Sequence, residues 1–255
     1  MNQTIPYRVE EVTELCLLAG KIMLQSGGET YRVEDTMMRI AAAFGIPESQ
    51  SFVMPTGIIF GIQGAYPATR LVRITDRTTD LQKVTQVNDL SRQIANGTIN
   101  LDEALEALKG IEAARNAFPA WLQIAAAAIA SGCFMIMLQG IWADFIPVAI
   151  AGGIGLALLI WLHLIIPIRF FAEFLASMAI GIVSVLMVKA GFGHHLDLMI
   201  IGSVMPLVPG LLLTNAVRDL MAGHLLSGLS KGADAFLTAS AIGAGIAVVL
   251  SVFQL

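Results

Sequence analysis

Residues 205–219 read MPLVPGLLLTNAVRD, and this stretch decides how the rest of the chain is interpreted. Pro206, Pro209 and Gly210 fall near the middle of an apolar run that is long enough to cross a membrane. Each proline lacks a backbone N–H and clashes with the preceding helical turn, so the helix is expected to kink or break there. Lipid cannot satisfy the freed carbonyls, and this backbone is therefore predicted to face protein or a wet cavity. Interrupted helices of this kind often hold substrates or ions in transporters.

Polar side chains follow the break within about two helical turns. Asn215 and Asp219 are four residues apart and share one helical face, while Thr214 and Arg218 form the adjacent row. Arg218 is the candidate contact for a carboxylate, and Asp219 is the candidate proton-coupled or pairing carboxylate. The alternative is a proline kink followed by an interfacial Arg218–Asp219 pair. The candidate substrate-binding residues are Thr214, Asn215, Arg218, Asp219, Pro209 and Gly210.

The composition is that of a membrane protein with a water-soluble part. Of the 255 residues, 56% are hydrophobic, and the mean hydropathy of +0.75 is too high for an ordinary soluble domain. Residues 1–118 hold 11 of the 15 Lys/Arg and 14 of the 19 Asp/Glu. We therefore predict a small α+β cytoplasmic domain over residues 1–118, followed by an α-helical integral membrane domain of five transmembrane helices over residues 119–255. The net charge of −4, without a basic run, argues against a nucleic-acid partner.

Periodicity within residues 1–118 predicts the element order α-α-β-β-β-α-α. Helical spacing from Val12 to Met23 ends at Gly27-Gly28, and Thr30 is the expected cap of the second helix. Asn100 and Glu103 predict a capping box at the start of the last helix. Short strands are expected at 51–54, 57–62 and 69–74, with turns at 55–56 and 63–67.

A polar cluster at residues 28–35 is a second candidate site, and its candidate residues are Glu29, Thr30, Arg32 and Glu34. Carboxylates beside an arginine can perform acid–base chemistry, so a membrane-tethered hydrolase using Glu29, Glu34 or Asp35 is one alternative function. A ligand-sensing membrane protein is another. The structural alternative is a solvated helix start whose charges favour the helix dipole. No cofactor or metal is expected, because the chain has no phosphate-binding glycine loop, metal-spaced His/Cys set or nucleophile elbow.

Five apolar segments after residue 118 each approach the roughly 20 residues that a membrane crossing needs. They lie at about 120–138, 145–165, 170–189, 197–217 and 234–253, with turns near 142–144, 167–169 and 191–197 and the longest loop at 218–234. A cytoplasmic first domain places most flanking cations inside, as the positive-inside rule requires, and leaves Leu255 outside. These inner cations are Lys109, Arg115, Arg169, Arg218 and Lys231, and Lys189 lies near the outer side.

Several residues within the apolar segments have two interpretations. Glu173 is either interfacial or faces the substrate path, and His163 either relays protons or is interfacial. His194 and His195 form either a polar loop or a metal pair. The segments also contain glycines that allow close helix contact, namely Gly152, Gly153, Gly155, Gly243 and Gly245.

Short motifs give the chain a resemblance to the threonine/serine exporter family. They are GGETYRVE at 27–34, PTG at 55–57, LVPG at 207–210, and NAVRD at 215–219 with Gly223. The resemblance covers nearly the whole chain and is closest to the larger subunit of the split members. It implies an inner-membrane exporter of threonine, serine or a succinate-like dicarboxylate.

The same resemblance implies partners for the chain. Fused members look like this chain followed by a second, shorter membrane module, which this chain lacks. A second small integral membrane subunit is therefore the expected protein partner. The chain is also expected to contact the lipid bilayer and the transported solute, and to form a higher oligomer.

Overall fold

The computed structural model describes residues 4–63, 67–114, 117–166, 168 and 170–254, with side chains from Val9 onward. The chain divides into two compact units. The first unit contains Met1–Ala117 and Leu211–Gly232, and the second contains Phe118–Gly210 and Ala233–Leu255. Features predicted from the sequence that lie wholly or partly outside the described residues are the turns at 63–67 and 167–169, Arg115, Arg169 and Leu255.

The element order predicted for the start of the chain is confirmed in the first unit: two helices, three strands and two helices. Its elements are α1 (Thr4–Gln25), α2 (Thr30–Ala43), β1 (Ser49–Met54), β2 (Gly57–Ile62), β3 (Ala68–Arg73), α3 (Leu81–Ala95) and α4 (Leu101–Ala113). The unit also contains parts of two later helices. These are α9 (Gly210–Met221), from its second residue onward, and the first eight residues of α10 (Leu225–Phe253).

One apolar core holds these elements together. Val12, Leu15 and Cys16 on α1 are fully buried, as the helical spacing of the sequence predicts. They belong to the same buried cluster as Met37 on α2 and Phe60 on β2. The three strands form an antiparallel sheet in the order β1-β2-β3. Met54 pairs with Gly57, which confirms the predicted two-residue turn at 55–56.

The helix starts confirm one capping prediction and contradict another. Asn100 and Glu103 form the predicted capping box of α4. Thr30 does not cap α2, because Glu29 is the N-cap residue and Thr30 already belongs to the helix. The Thr30 hydroxyl instead donates a hydrogen bond to the carboxylate of Asp219, which is distant in the sequence. This bond replaces the hydrogen bond to the local backbone that a capping hydroxyl would make.

The second unit contains most of the apolar segments. It comprises α5 (Ala120–Met137), a 3₁₀ turn (Trp142–Asp144), α6 (Phe145–Ile165), α7 (Phe171–Lys189), α8 (Leu196–Val204), a second 3₁₀ turn (Met205–Leu207) and the rest of α10. Among the residues that the structure describes, four stretches are long and apolar enough to cross a membrane, namely 120–137, 142–165, 171–189 and 225–253. The count rises to five if the interrupted pair α8 and α9 is one span.

The predicted break near Pro206–Gly210 is confirmed. Regular helix ends at Val204, Val208 is extended with φ −65° and ψ 130°, and α9 begins at Gly210. The Val208 N–H bonds to the Met205 carbonyl at 3.2 Å, and the Gly210 N–H to the Val208 carbonyl at 2.8 Å. Short local hydrogen bonds therefore replace the regular helical ladder at the two prolines.

The predicted long loop at 218–234 is wrong. Helix α9 continues to Met221 and α10 begins at Leu225, so only residues 222–224 separate two helices. Asn215 and Asp219 on α9 are buried, and Lys231 on α10 is buried as well. Because these polar side chains find partners inside the first unit, the segment stays helical rather than forming a solvated loop.

Glycines allow close helix contact in the second unit, mostly as predicted. A Cβ at Gly155 would clash with Ile180 on α7, and one at Gly245 would clash with Ser177. Gly152 and Gly153 approach α5 in the same way. The prediction is wrong for Gly243, because no atom of another described helix lies within 4 Å of the position that a Cβ would occupy.

Asp144 connects two turns of the second unit. It is fully buried and accepts hydrogen bonds from the backbone N–H groups of His194 and His195 at 2.9 and 3.1 Å. The Nδ1 atoms of the two imidazoles lie 2.9 and 3.2 Å from the same carboxylate. Within the described ranges, no group of three or more His, Cys, Asp or Glu side chains could hold a metal ion.

Candidate functional site in the first unit

Asp219 is the centre of a buried polar network. Its side chain is inaccessible to solvent. Its Oδ1 accepts the backbone N–H of Thr30 at 3.0 Å, and its Oδ2 accepts the Thr30 hydroxyl at 2.8 Å and Lys231 Nζ at 2.7 Å. A buried ion pair is stable only when further hydrogen bonds satisfy both charges, and Thr30 supplies them here. Asp219 thus ties the start of α2 to α9 and α10.

Lys231 completes the network and was missed as a site residue in the sequence. Its side chain is 6% exposed, and its Nζ lies 3.3 Å from the Thr30 hydroxyl and 3.4 Å from the Gly28 carbonyl. These contacts and the Asp219 pair match the three donors of an ammonium group. The available signal was a lysine within an otherwise apolar helical stretch, where a charge is costly unless it is paired.

The two polar rows of α9 face different surroundings, as their spacing predicts. Asn215 is buried with Asp219, and its Nδ2 donates to the Gly27 carbonyl at 2.9 Å. Gly27 has a φ of +88°, so the chain turns there through a conformation that glycine adopts readily. Thr214 and Arg218, on the other row, are exposed.

Arg218 pairs with Glu29. Glu29 also accepts Arg32 Nη1 at 2.9 Å, so one carboxylate joins two guanidinium groups. Burial alone would raise the pKa of Glu29, but hydrogen bonds and charge from Arg218 and Arg32 outweigh it and hold that pKa below its ordinary value. The Arg218 side chain is 57% exposed, which leaves part of its fork of donors open to another anion.

Glu34 lies beside this network with a different environment. Its Oε1 accepts the Val53 N–H at 2.9 Å, and its Oε2 lies 3.8 Å from His224 Nδ1. Burial raises the pKa of Glu34, the Asp219 charge adds to the increase, and Val53 and His224 oppose it. Ser227 donates to the Val53 carbonyl at 3.1 Å, so the start of α10 holds the same strand.

The two candidate sets from the sequence therefore meet in one unit. Glu29, Thr30, Arg32 and Glu34 lie in the same network as Asn215, Arg218 and Asp219. Thr214 shares the exposed row with Arg218, while Pro209 and Gly210 belong to the second unit. Asp35 pairs with Arg39 on the surface. The arrangement can hold an anion at Arg218 by exchange with Glu29, since both groups form hydrogen-bonded ion pairs.

Comparison with known proteins identifies one family. A family model of threonine/serine exporters matches residues 14–253. The "Probable threonine/serine exporter" of Mycobacterium tuberculosis is 24% identical over 245 residues, which cover 94% of this chain and 46% of that relative. The "Probable succinate transporter subunit YjjP" of Escherichia coli is 26% identical over 248 residues, which cover 96% of this chain and 95% of that relative.

A Klebsiella aerogenes protein with the same name as the Escherichia coli relative is 25% identical over 248 residues, with coverage of 96% and 95%. The chain thus spans about half the length of the mycobacterial relative and nearly all of the two enterobacterial ones. No solved structure matches the chain.

Proposed function

The chain belongs to the threonine/serine exporter family, and we propose that it is a subunit of a proton-coupled inner-membrane exporter of small carboxylate-bearing metabolites. The observation that carries this proposal is the family match over residues 14–253, which includes the interrupted helix at 205–210. The names of the relatives describe transport of threonine, serine or succinate, and these solutes are the proposed substrates. The relatives support a transporter rather than a hydrolase built on Glu29, Glu34 or Asp35.

Five membrane crossings and a cytoplasmic first domain form the proposed topology, with residues 1–118 inside and 119–255 in the membrane. Support comes from four long apolar helices plus the interrupted pair α8 and α9, together with the distribution of cations in the sequence. Single cysteines in a Cys133→Ser background test it. A membrane-impermeant thiol reagent added outside should label His194→Cys but not Ser230→Cys, and the reverse pattern would refute the topology.

Arg218 is the proposed contact for the substrate carboxylate. It is the half-exposed partner of an ion pair, and a solute carboxylate could replace Glu29 on its guanidinium through two parallel hydrogen bonds. Thr214 lies on the same row of α9 as Arg218, and Asn215 lies on the adjoining row. Both are proposed to form hydrogen bonds with the solute. Pro209 and Gly210, which lie at the confirmed break, stay proposed substrate-binding residues because interrupted helices often hold substrates in transporters.

Asp219 has the pairing role in this proposal rather than the proton-coupling role. Lys231 and Thr30 already supply three donors to its carboxylate. Loss of its charge would leave a buried ammonium without its counter-ion, which is costly. A residue that gains and loses a proton in every transport cycle is expected to have fewer fixed donors.

A second small membrane subunit is the proposed partner. Two relatives are named as subunits, and the matched region is about half of the mycobacterial relative. Purified chain reconstituted alone should therefore give little flux, whereas membranes of the source organism should support it. Robust saturable export by the purified chain alone would contradict the need for a partner.

Counterflow tests the transport function itself. Inside-out vesicles are prepared from the source organism with its gene intact or deleted, and each is preloaded with unlabelled solute. Labelled threonine, serine and succinate are then offered separately. We expect uptake of at least one label only when the gene is present, and equal uptake of all three labels by both vesicle types would refute the proposal.

A further inference from the structure

Glu173 is partly buried, and among the described residues its carboxylate has fewer partners than those of Asp144 and Asp219, which are fully buried. Asp144 receives four hydrogen-bonding groups and Asp219 receives three. Glu173 lies in the first turn of α7 with its side chain 16% exposed. Its Oε1 is 3.3 Å from His163 Nε2, and its Oε2 is buried without a hydrogen-bond partner in the part of the chain that the structure describes.

An incompletely satisfied carboxylate in an apolar helix is expensive. Burial of a polar oxygen without a hydrogen bond costs free energy, and the cost is larger when the group is charged. Ionisable residues in membrane helices are therefore rare and often mark ion or proton pathways. The carboxylate of Glu173, whose Oε2 has no hydrogen-bond partner among the described residues, is thus a candidate proton-binding group.

His163 is the more exposed partner of Glu173. Its side chain is 52% exposed near the end of α6. Imidazole both donates and accepts protons, and its two ring nitrogens allow it to receive a proton on one side and deliver it on the other.

Two uncharged residues, Phe174 and Ser177, lie next to Glu173 along α7. Ser177 donates to the Phe174 carbonyl at 2.9 Å, and Gly245 of α10 packs against both residues. His163 on α6 is the titratable partner of Glu173 in the described residues.

We propose that Glu173 binds the coupling proton of the exporter and that His163 passes this proton between water and the carboxylate. The step moves one proton from imidazolium Nε2 to Glu173 Oε1, which leaves a neutral imidazole and a neutral carboxyl group, and the reverse step releases the proton. This assignment rests on the proposed export function and adds the group that carries the proton.

Paired flux measurements separate coupling from substrate binding. Inside-out vesicles from the source organism carry wild type, Glu173→Gln or the matched control Asp197→Asn, which changes an exposed carboxylate on α8. Uptake of labelled threonine, serine and succinate is measured in two ways: as counterflow at equal pH, and as net uptake driven by an acid vesicle interior. Glu173→Gln should lose the pH-driven uptake and keep counterflow, while Asp197→Asn should keep both.

The possible failures have different meanings. Retained pH-driven uptake in Glu173→Gln, or equal loss of both activities in a variant present at wild-type level in the membrane, would overturn the role of Glu173. Absence of counterflow in wild type would instead overturn the export function on which it rests.

A measurement on the wild-type protein keeps the test independent of variant folding. A hydrophobic carbodiimide reacts with protonated carboxyl groups in apolar surroundings, and mass spectrometry of the labelled peptide locates the modified residue. Glu173 should be modified at acidic pH and progressively protected as the pH rises. A Glu173 peptide that stays unmodified at acidic pH would overturn the proposal.

Discussion

Replacement of Lys231 by methionine tests whether the buried pair with Asp219 holds the first unit together. The two side chains are 6% and 0% exposed, and Nζ lies 2.7 Å from Oδ2. Methionine preserves most of the apolar stem but leaves the Asp219 carboxylate buried without its cation. Removal of one partner from a buried pair costs about 3–5 kcal/mol. In a unit of this size that loss lowers the melting temperature by on the order of 10 °C.

Lys21→Met is the matched control for this substitution. Lys21 forms an ion pair with Glu112 at 2.8 Å, but the two side chains are 35% and 39% exposed. A surface pair contributes only about 0–1 kcal/mol because water screens it. Thermal unfolding of both variants in the same detergent is followed by far-UV circular dichroism at one scan rate.

The single variant Asp219→Asn and the double variant Asp219→Asn/Lys231→Met complete the cycle. The double variant removes both charges, so we expect it to melt above Lys231→Met, since no uncompensated charge stays buried. The reasoning is refuted if Lys231→Met melts no lower than Lys21→Met. A double variant that loses the full sum of the two single losses would also show that the charges do not act as a pair.

Three further predictions concern other parts of the chain. Gly245→Ala should lower the melting temperature of the detergent-solubilised protein, because its Cβ clashes with Ser177, whereas Gly243→Ala should leave it unchanged in the same melting experiment. Glu29 has a lowered pKa, so its stabilising contribution is present at neutral pH and is lost as the pH falls through that pKa. Glu29→Gln should therefore be less stable than wild type at neutral pH and show a weaker acid dependence, and parallel stability curves across the pH titration would contradict this. Burial raises the pKa of Cys16 to about 12, so Cys16 should resist thiol reagents in the folded protein at neutral pH while exposed Cys133 reacts, as peptide mapping after labelling would show.

Local chemistry was sufficient to predict most elements of the first unit. The Asn100–Glu103 capping box, the two-residue turn at 55–56 and the apolar spacing of α1 each depend on residues close in sequence. The break at residues 205–210 was predictable for the same reason, because proline alters the backbone wherever it stands. Failures occurred where a distant partner intervened, as at Thr30, whose hydroxyl bonds to Asp219 instead of capping its own helix.

The candidate site was only partly predictable. The four-residue spacing correctly placed Asn215 and Asp219 on one face of α9, and the structure shows that both are buried. Charge alone could not show that Asp219 pairs with Lys231 and Arg218 with Glu29, since adjacent residues of opposite charge suggest a local pair instead. These partners lie far along the chain, and only the fold brings them together. The substrate-binding role of the segment stays a prediction.

Substrate protection of a cysteine at Thr214 tests the central claim that this segment contacts the exported solute. Thr214 is exposed on the row that contains Arg218, and Leu229→Cys, at a position that is 63% exposed on α10, is the control. Both variants are made in a Cys133→Ser background, and their rates of reaction with a small thiol reagent are measured in source-organism vesicles. We predict that saturating transported solute slows labelling of Thr214→Cys and leaves Leu229→Cys unchanged. Identical labelling of Thr214→Cys with and without a solute that the same vesicles transport would contradict the claim.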